Sequence, residues 1–333
     1  MTDELSHRDE RRRVTLLVPV YNESSVLEAF IEKVRQAVGR LPQYTFELLF
    51  VDDGSTDDSL ELIRRHAMAD PAAEVAVAFV SLSRNFGKET AMLAGLDHAT
   101  GDCVVILDAD LQDPPDLIPQ MLALWEEGYD DVFARRTSRD GESWLKRWTS
   151  TTFYRILERS TNIPIQRDTG DFRLLDRRAV DAIVQFRESN RYTKGLYDWV
   201  GFSKKEITFA RDPRAAGTTK WTYRKLVGLA IDGLTSFTTA PLRWSTFLGF
   251  VVSVSAFVYM IVVVIRGLLD VDVVDGYPSL MAVVLFLGGV QLLSLGIIGE
   301  YLGRVFTETK RRPLYFVAES TPGTRSRRHS GRE

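Results

Sequence analysis

Short apolar runs alternate with amphipathic segments over the first third of the chain. Acidic turns end the second and the fourth of these apolar runs, which occur at 14–20, 46–55, 75–83 and 102–110. Apolar residues at helical spacing lie between the runs, at 24–38, 57–68 and 87–99. Strands that alternate with helices usually form a parallel sheet with helices on both faces. The pattern therefore predicts an α/β fold with a doubly wound, mostly parallel, Rossmann-like sheet.

Two long apolar segments lie towards the C-terminal end. Residues 244–265 carry no charge over 22 positions, and residues 276–299 carry none over 24 positions. At about 1.5 Å per helical residue, either segment can cross a hydrocarbon core about 30 Å thick. We therefore expect two transmembrane helices.

Charged residues beside these segments predict their orientation. The connection at 266–275 carries three aspartates and one arginine, whereas the outer flanks carry the basic residues Arg243, Arg304, Lys310, Arg311 and Arg312. By the positive-inside rule, both chain ends then lie in the cytoplasm. The first 13 residues lack the apolar core of a signal peptide. We expect a multi-pass protein of the cell membrane whose large N-terminal domain is cytoplasmic.

These patterns divide the chain into five parts. They are a disordered N-terminus at 1–13, a cytoplasmic α/β domain at 14–215, juxtamembrane amphipathic helices at 216–243, a transmembrane hairpin at 244–303 and a basic cytoplasmic tail at 304–333. A core helix is the alternative to an interfacial helix at 221–240, where apolar and aromatic residues have mixed spacing.

Composition adds two constraints. The net charge of −3 gives no indication of nucleic-acid binding. The single cysteine excludes an internal disulfide and suits a reducing compartment. Because Cys103 lies in an apolar run, we interpret it as an inert thiol of the core.

Polar clusters follow the four predicted strands, at 21–23, 52–57, 84–88 and 108–113. The carboxyl ends of parallel strands meet at one edge of a sheet, where ligands bind. Mg²⁺ and Mn²⁺ prefer oxygen ligands, usually one or two carboxylates together with substrate phosphates, and Asp108 and Asp110 can turn toward one such ion. Acidic residues also cap helices and form turns, which is the alternative for each cluster taken alone. Four clusters at one edge favour a functional site.

Several motifs resemble those of the family-2 inverting glycosyltransferases with the GT-A fold. The motifs are "LLVPVYNES", "LLFVDDGSTDDS" and "LDADLQDPP". Later segments resemble the bactoprenol glucosyltransferase branch, which is related to dolichol-phosphate mannose synthase; they are "NFGKETAMLAGLDHATGD", "DTGDFRLLDRRAVD", "AGTTKWTYRKL" and "IGEYLGRVFTETKRRPLYFV". The resemblance covers the chain from Val14 to Val317. It implies transfer of one sugar from a nucleotide-sugar, with UDP-glucose suggested, to a polyprenyl monophosphate such as undecaprenyl phosphate.

The same resemblance implies roles for individual residues. Nucleotide-sugar binding falls on Pro19, Tyr21, Asn22, Glu23, Asp52, Asp53, Lys88, Asp108, Ala109 and Asp110. The ligands of Mg²⁺ or Mn²⁺ would be Asp108, Asp110 and Gln112. Phosphate groups of the acceptor would be bound by Arg139, Arg147, Arg214 and Lys220. Around 135–148, a solvated basic helix is the alternative to an acceptor loop.

Asp110 and Asp171 are the predicted catalytic residues. The second pKa of a phosphate monoester is near 6, so the acceptor needs little deprotonation. A positioning role for Asp171 is therefore favoured over general-base catalysis or a structural turn. Two other acids are interpreted as structural: Asp176 caps the helix that follows it, and Glu300 pairs with Arg304 one turn later.

Three classes of function remain open. The first is a glycosyltransferase that acts on polyprenyl phosphate. The second is a membrane glycosyltransferase of the same fold with another acceptor, or with GDP-mannose or a UDP-N-acetylhexosamine as donor. The third is a membrane protein that binds nucleotide-sugar or lipid without catalysis. Chain elongation is not expected, because the Gln-x-x-Arg-Trp motif of processive synthases is missing at 146–148 and 242–244. A homo-oligomer is compatible with each class.

Overall fold

The computed structural model describes residues 11–69, 75–136, 169–189, 191, 193–209, 240–268, 276–322 and 324. The chain divides into two compact units. The first consists of Met1–Tyr154, Ile163–Trp221 and Pro313–Glu333, and the second of Arg155–Asn162 and Thr222–Arg312.

The first unit contains a single mixed sheet. Its eight described strands are β1 (Arg12–Val20), β2 (Tyr44–Asp52), β3 (Val75–Leu82), β4 (Cys103–Ile106), β5 (Asp131–Arg136), β6 (Thr169–Asp176), β7 (Lys204–Phe209) and β8 (Val317–Ser320). They lie in the order β7-β5-β6-β4-β1-β2-β3-β8. Strands β4, β1, β2 and β3 are parallel, as is the pair β5 and β7, whereas β6 and β8 run antiparallel to their neighbours.

Helices cover both faces of the sheet. They are α1 (Ser24–Val38), α2 (Ser59–Ala69), α3 (Lys88–His98), α4 (Ile118–Glu126), α5 (Arg177–Ile183) and α6 (Thr193–Trp199). Along β1, Leu16 packs into the core that contains α1, α2 and α4, and Leu17 packs into the core that contains α3, α5 and α6. Since successive strand residues point to opposite faces, strands that are buried on both sides must be almost continuously apolar. This is the composition that predicted them.

The predicted strands and helices between residues 14 and 110 are confirmed, with ends that differ by a few residues. Strand β1 begins at Arg12, and α1 has the predicted bounds. Asp176 caps α5 as expected, because its carboxylate accepts a hydrogen bond from the Arg178 amide at 2.9 Å. The sheet is less parallel than predicted, since β6 and β8 reach it from distant parts of the chain in the opposite direction.

Strand β8 was not predicted from the sequence, in which its segment is part of the basic tail at 304–333. It pairs with the edge strand β3, and the pairing continues beyond both ends of β8. The Ser83 amide donates to the Phe316 carbonyl at 2.9 Å, and the Phe79 amide donates to the Thr321 hydroxyl at 2.9 Å. The Tyr315 hydroxyl donates to the Asp97 carboxylate at 2.7 Å. The chain that follows the last long helix thus completes the sheet.

The second unit contains two long helices, α7 (Ala240–Leu268) and α8 (Tyr277–Thr309), which contact each other. Large apolar side chains are exposed on both helices, among them Phe247, Phe250, Leu292 and Leu302. In the described part of the chain, Phe286–Thr309 is long and apolar enough to cross a membrane, and Ser245–Tyr259 is apolar but shorter. The predicted ion pair within α8 is confirmed, with Glu300 and Arg304 joined at 3.0 Å.

Candidate active site

The loops after β1 and β2 are joined by hydrogen bonds at the carboxyl edge of the sheet. Asn22 has a left-handed backbone, with φ of 57°, which asparagine tolerates better than most residues. Its amide donates to the Ser55 hydroxyl at 3.0 Å, and its side-chain oxygen accepts from the Thr56 amide at 2.8 Å. The next amide, that of Glu23, donates to the Ser59 hydroxyl at 2.9 Å. Two loops distant in sequence are thereby held together.

Asp52 and Asp53 are buried, and both stabilise loops. Asp52 accepts hydrogen bonds from the Ser55 amide at 3.0 Å and the Ser81 hydroxyl at 2.8 Å. Asp53 accepts from the amides of Phe86 and Gly87, at 2.7 and 2.8 Å. Burial raises the pKa of Asp53, and these two hydrogen bonds oppose the rise. The carboxylate of Asp53 therefore connects the end of β2 to the loop that begins α3.

Gly54 allows this close approach. Its φ is +70°, and a Cβ atom there would lie 2.5 Å from the carbonyl carbon of Arg84. A larger residue would therefore push the β3–α3 loop away from Asp53. Of the other predicted donor residues in this region, Pro19 is half-buried and Tyr21 is exposed.

The loop after β4 carries the predicted cation ligands. One oxygen of Asp110 accepts the Gln112 amide at 3.0 Å across a tight turn, in which Leu111 has φ of 61°. Gln112 and Ala109 are buried. The turn brings the chain back to the end of β4, because the Asp108 amide donates a hydrogen bond to the Asp113 carboxylate at 3.2 Å.

Lys88 joins two of the predicted acidic residues, although they lie far apart in the sequence. Its ammonium group lies 2.6 and 2.8 Å from the two carboxylate oxygens of Asp108, and 2.7 Å from Oδ2 of Asp171. Burial would raise the pKa of Asp171, but the charges of Lys88 and Lys194 lower it below the ordinary value. Asp171 is therefore ionised at neutral pH. Its Oδ1 atom is buried and accepts no hydrogen bond from the residues that the structure describes.

The acidic edge is better suited to a cation that also binds a substrate diphosphate than to a cation that protein ligands hold alone. Among the described residues, no three His, Cys, Asp or Glu side chains are grouped so that they could hold a metal ion. Burial, followed by the charges of Asp110 and Asp108, raises the pKa of Glu23, which indicates an excess of negative charge at this edge. Two carboxylates suffice for Mg²⁺ or Mn²⁺ when substrate phosphates supply further ligands. Asp108 and Asp110 therefore fit such an ion.

Residues around α6 also belong to this cluster, although the sequence alone did not predict them. Glu89 accepts a hydrogen bond from the Thr193 amide at 3.0 Å and another from the Thr193 hydroxyl. This contact joins the starts of α3 and α6 and brings Lys194 near Asp171. Glu89 lies in the segment "NFGKETAMLAGLDHATGD", but neither it nor Thr193 has a role there that would mark it, so only their contact across more than 100 residues reveals the pairing.

The predicted acceptor residues Arg139, Arg147, Arg214 and Lys220 lie outside the residues that the structure describes. Arg135, in the same basic segment, forms an ion pair with Glu206 at 3.2 Å. The predicted inert thiol is confirmed, since Cys103 is buried and burial raises its pKa well above the ordinary value.

Comparisons with known proteins match most of the chain. The family model described as glycosyl transferase family 2 matches residues 15–184, and the model described as GtrB C-terminal hairpin matches residues 240–305. An uncharacterized glycosyltransferase of Synechocystis is 46% identical over 92% of this chain and 95% of its own length. The bactoprenol glucosyl transferase of Shigella phage SfII is 41% identical over 93% of this chain and 99% of its own.

Similarity to solved structures is lower. A mannosyltransferase from Pyrobaculum calidifontis, solved with GDP-Man and Mn²⁺, is 17% identical and covers 91% of this chain and 76% of its own, with a TM-score of 0.43. A likeness of this size carries no argument about the donor or the metal of the present chain.

Proposed function

The chain belongs to glycosyl transferase family 2, and from this premise we propose that it transfers one glucose from UDP-glucose to a polyprenyl monophosphate. It is a glycosyltransferase; the donor, the acceptor and the dependence on a cation are the proposal. Relatives that carry the name bactoprenol glucosyl transferase support the choice of sugar and lipid. The observation that carries the proposal is the acidic edge, where Lys88 lies between Asp108 and Asp171 beside Asp110.

The donor would bind over the carboxyl edge of the sheet. Asp53 and the loops it connects would hold the nucleotide, and Asp108 and Asp110 would hold Mg²⁺ or Mn²⁺, with Gln112 in the same turn. When bound, the cation would stabilise the negative charge of the departing diphosphate. The cluster of carboxylates around Lys88 supports this arrangement.

The transfer itself would be a single in-line displacement. An acceptor phosphate oxygen forms a bond to the anomeric carbon while the bond to the donor diphosphate breaks, which inverts the configuration. The acceptor is already anionic, so the protein mainly orients two anions and shields their repulsion. Arg139, Arg147, Arg214 and Lys220 are proposed to hold the acceptor phosphate.

Asp171 is proposed as a positioning residue. Its lowered pKa makes it a poor base, because a carboxylate that Lys88 and Lys194 stabilise has little tendency to take up a proton. Its buried Oδ1 atom is suited to accept a hydrogen bond from a sugar hydroxyl. Both observations favour orientation of the sugar over general-base catalysis.

The membrane arrangement is also part of the proposal. We propose that α7 and α8 both cross the bilayer, with both chain ends in the cytoplasm. The apolar segment Phe286–Thr309 and the exposed apolar side chains of both helices support this. A two-helix hairpin would keep the catalytic unit beside a lipid acceptor.

The proposal is tested by a donor screen on the full-length chain in phospholipid nanodiscs. The full chain is needed because β8 completes the sheet. UDP-glucose, UDP-galactose, UDP-N-acetylglucosamine and GDP-mannose are each supplied with undecaprenyl phosphate, and the lipid product is identified by mass spectrometry. We expect a lipid phosphate that has gained one hexose from UDP-glucose only.

Two controls separate the remaining functions. An acceptor with a free hydroxyl in place of the phosphate should give no product, and the Asp110→Asn variant should give none with any donor. Transfer to the hydroxyl lipid would indicate an enzyme with another acceptor. Nucleotide binding without any lipid product would contradict the proposed reaction.

A further inference from the structure

Lys88 contacts the carboxylate of Asp108, which is a proposed ligand of the cation. Its ammonium contacts both oxygens of Asp108, at 2.6 and 2.8 Å, so each carboxylate oxygen already has a cationic partner. The lysine backbone is held in place, because Asp53 binds the amide of the preceding Gly87 at 2.8 Å. The side chain itself is 43% exposed, and that of Asp108 is 28% exposed. The lysine backbone is therefore fixed, while both side chains of the pair remain partly accessible to solvent.

Charge balance explains why an ammonium group lies there. Without donor, Asp108, Asp110, Glu23 and Asp171 gather negative charge at one edge, and Lys88 contacts two of these carboxylates. Arg84, the other basic residue of this loop, packs over the Phe86 ring at 4.0 Å and donates to the Asn85 carbonyl. Lysine carries a compact charge on a flexible stem, so it can change partner without movement of the backbone.

A divalent cation and an ammonium group cannot both remain in contact with one carboxylate at low cost, since their charges repel at a few ångströms. Lys88 must therefore leave Asp108 when a cation binds there. The diphosphate of the donor offers the ammonium a new anionic partner at that moment. Lysine is a common point-charge ligand of phosphate.

We propose that Lys88 is an exchangeable counter-ion, which covers Asp108 in the donor-free enzyme and moves to the diphosphate when the cation and donor bind together. The proposal rests on the proposed function, because it assumes a cation on Asp108. It has a consequence for binding: cation alone competes with Lys88, whereas cation and nucleoside diphosphate favour each other. By linkage, the gain is the same for either ligand.

The experiment measures binding, with no turnover needed. Free Mn²⁺ is titrated into the full-length detergent-solubilised protein and followed by electron paramagnetic resonance, with and without saturating UDP. In the wild type, UDP should tighten Mn²⁺ binding strongly. In Lys88→Gln, Mn²⁺ alone should bind at least about tenfold more tightly, since one opposing charge has been removed. The gain that UDP provides should fall by a similar factor.

Lys205→Gln is the matched control. Lys205 packs over the Tyr129 ring on the edge strand β7, which β5 separates from the strand that carries Asp171, and its loss changes the net charge equally. It should leave both Mn²⁺ titrations unchanged. If Lys88→Gln fails to fold by circular dichroism, Lys88→Met, which keeps the length of the side chain, provides the same test.

Two results would overturn the proposal in different ways. Unchanged Mn²⁺ affinity in the folded Lys88 variant, together with a normal UDP effect in the wild type, would reject the counter-ion role and leave the proposed function intact. Absence of any Mn²⁺ binding to the wild type with UDP would reject the cation on Asp108, and with it both proposals.

Discussion

Strand β6 contributes one residue to each of two ion-pair clusters, Arg173 to the first and Asp171 to the second. The two clusters differ in their access to water. Arg173 forms an ion pair with Asp131 at 3.0 Å, and the two side chains are 1% and 3% exposed. Arg173 also stacks on the Tyr197 ring at 3.6 Å. Asp171, by contrast, pairs with Lys88, which is 43% exposed. One cluster is enclosed by the core, and the other opens at the edge of the sheet.

The two carboxylates respond differently to a neighbouring cation. Burial raises the pKa of Asp131, and the opposing charges of Arg173 and Lys204 do not reverse the rise. For Asp171, the charges of Lys88 and Lys194 outweigh burial and lower the pKa. A rigid guanidinium in a sealed core suits a permanent contact, whereas an ammonium at an open edge suits exchange. The comparison predicts losses of stability at the first cluster and losses of activity at the second.

The largest effect is expected at Asp110. Asp110→Asn removes a proposed cation ligand, so the rate of transfer should fall at least about ten-thousandfold, or more than about 5 kcal/mol in activation free energy. The thermal unfolding temperature should stay close to that of the wild type, because Asp110 hydrogen-bonds only within its own turn among the described residues. Rates on undecaprenyl phosphate measure the first quantity and calorimetry the second. Full wild-type activity in excess chelator would contradict the role of a cation.

Disruption of the buried Arg173–Asp131 ion pair should lower the stability of the protein. Asp131→Ala leaves Arg173 buried without its carboxylate, which we expect to lower the free energy of unfolding by about 3–5 kcal/mol. Urea denaturation of the full-length protein in detergent measures this change. Glu206→Ala, which removes a partly exposed partner of Arg135, is the control and should cost about 1 kcal/mol or less. Equal losses in the two variants would show that burial does not distinguish the clusters.

Asp171→Asn tests the open cluster by its pH dependence. The lowered pKa of Asp171 keeps the wild-type carboxylate charged throughout pH 6–8, so no titration of this group falls in that window. Under a positioning role, turnover should fall about a hundredfold, or about 2.7 kcal/mol, with an unchanged slope against pH. A variant that recovers activity as pH rises and the acceptor loses its last proton would identify Asp171 as the base.

The smallest effect is expected where the C-terminal strand is attached. The Asp97 carboxylate binds Arg187 through both oxygens and also accepts the Tyr315 hydroxyl at 2.7 Å. Tyr315→Phe should lower the free energy of unfolding by about 1.5 kcal/mol, the lower end for a hydrogen bond to a charged group. Hydrogen exchange at the Ser83 amide, which donates to the Phe316 carbonyl, should become faster.

Glu319→Gln is the control for this strand. Glu319 pairs with Arg64 at the surface, where both side chains are about one third or more exposed. Its loss should change stability by less than about 1 kcal/mol. A larger effect at Glu319 than at Tyr315 would show that the edge of the sheet is held by its surface charges.

Local spacing alone determined the central strands, the helices around them and the edge at which the polar clusters meet. Short continuous apolar runs and a helical period of 3.6 residues need no knowledge of distant partners, and parallel strands present their carboxyl ends together. The same holds for the cap at Asp176 and the pair of Glu300 with Arg304, whose partners lie within four residues. The first three motifs of the family resemblance, "LLVPVYNES", "LLFVDDGSTDDS" and "LDADLQDPP", lie at these same strand ends.

Only the tertiary structure decided which polar and charged groups from distant parts of the chain contact each other. The contact of Lys88 with Asp171 joins distant parts of the chain, and the Tyr315–Asp97 hydrogen bond joins residues 218 positions apart. Strand β8 has four residues, too few for a periodic signal, and it takes its place because β3 offers an unpaired edge. Such contacts depend on how loops and edges pack after the sheet has formed. A lysine between two acids therefore cannot be recognised from the order of residues.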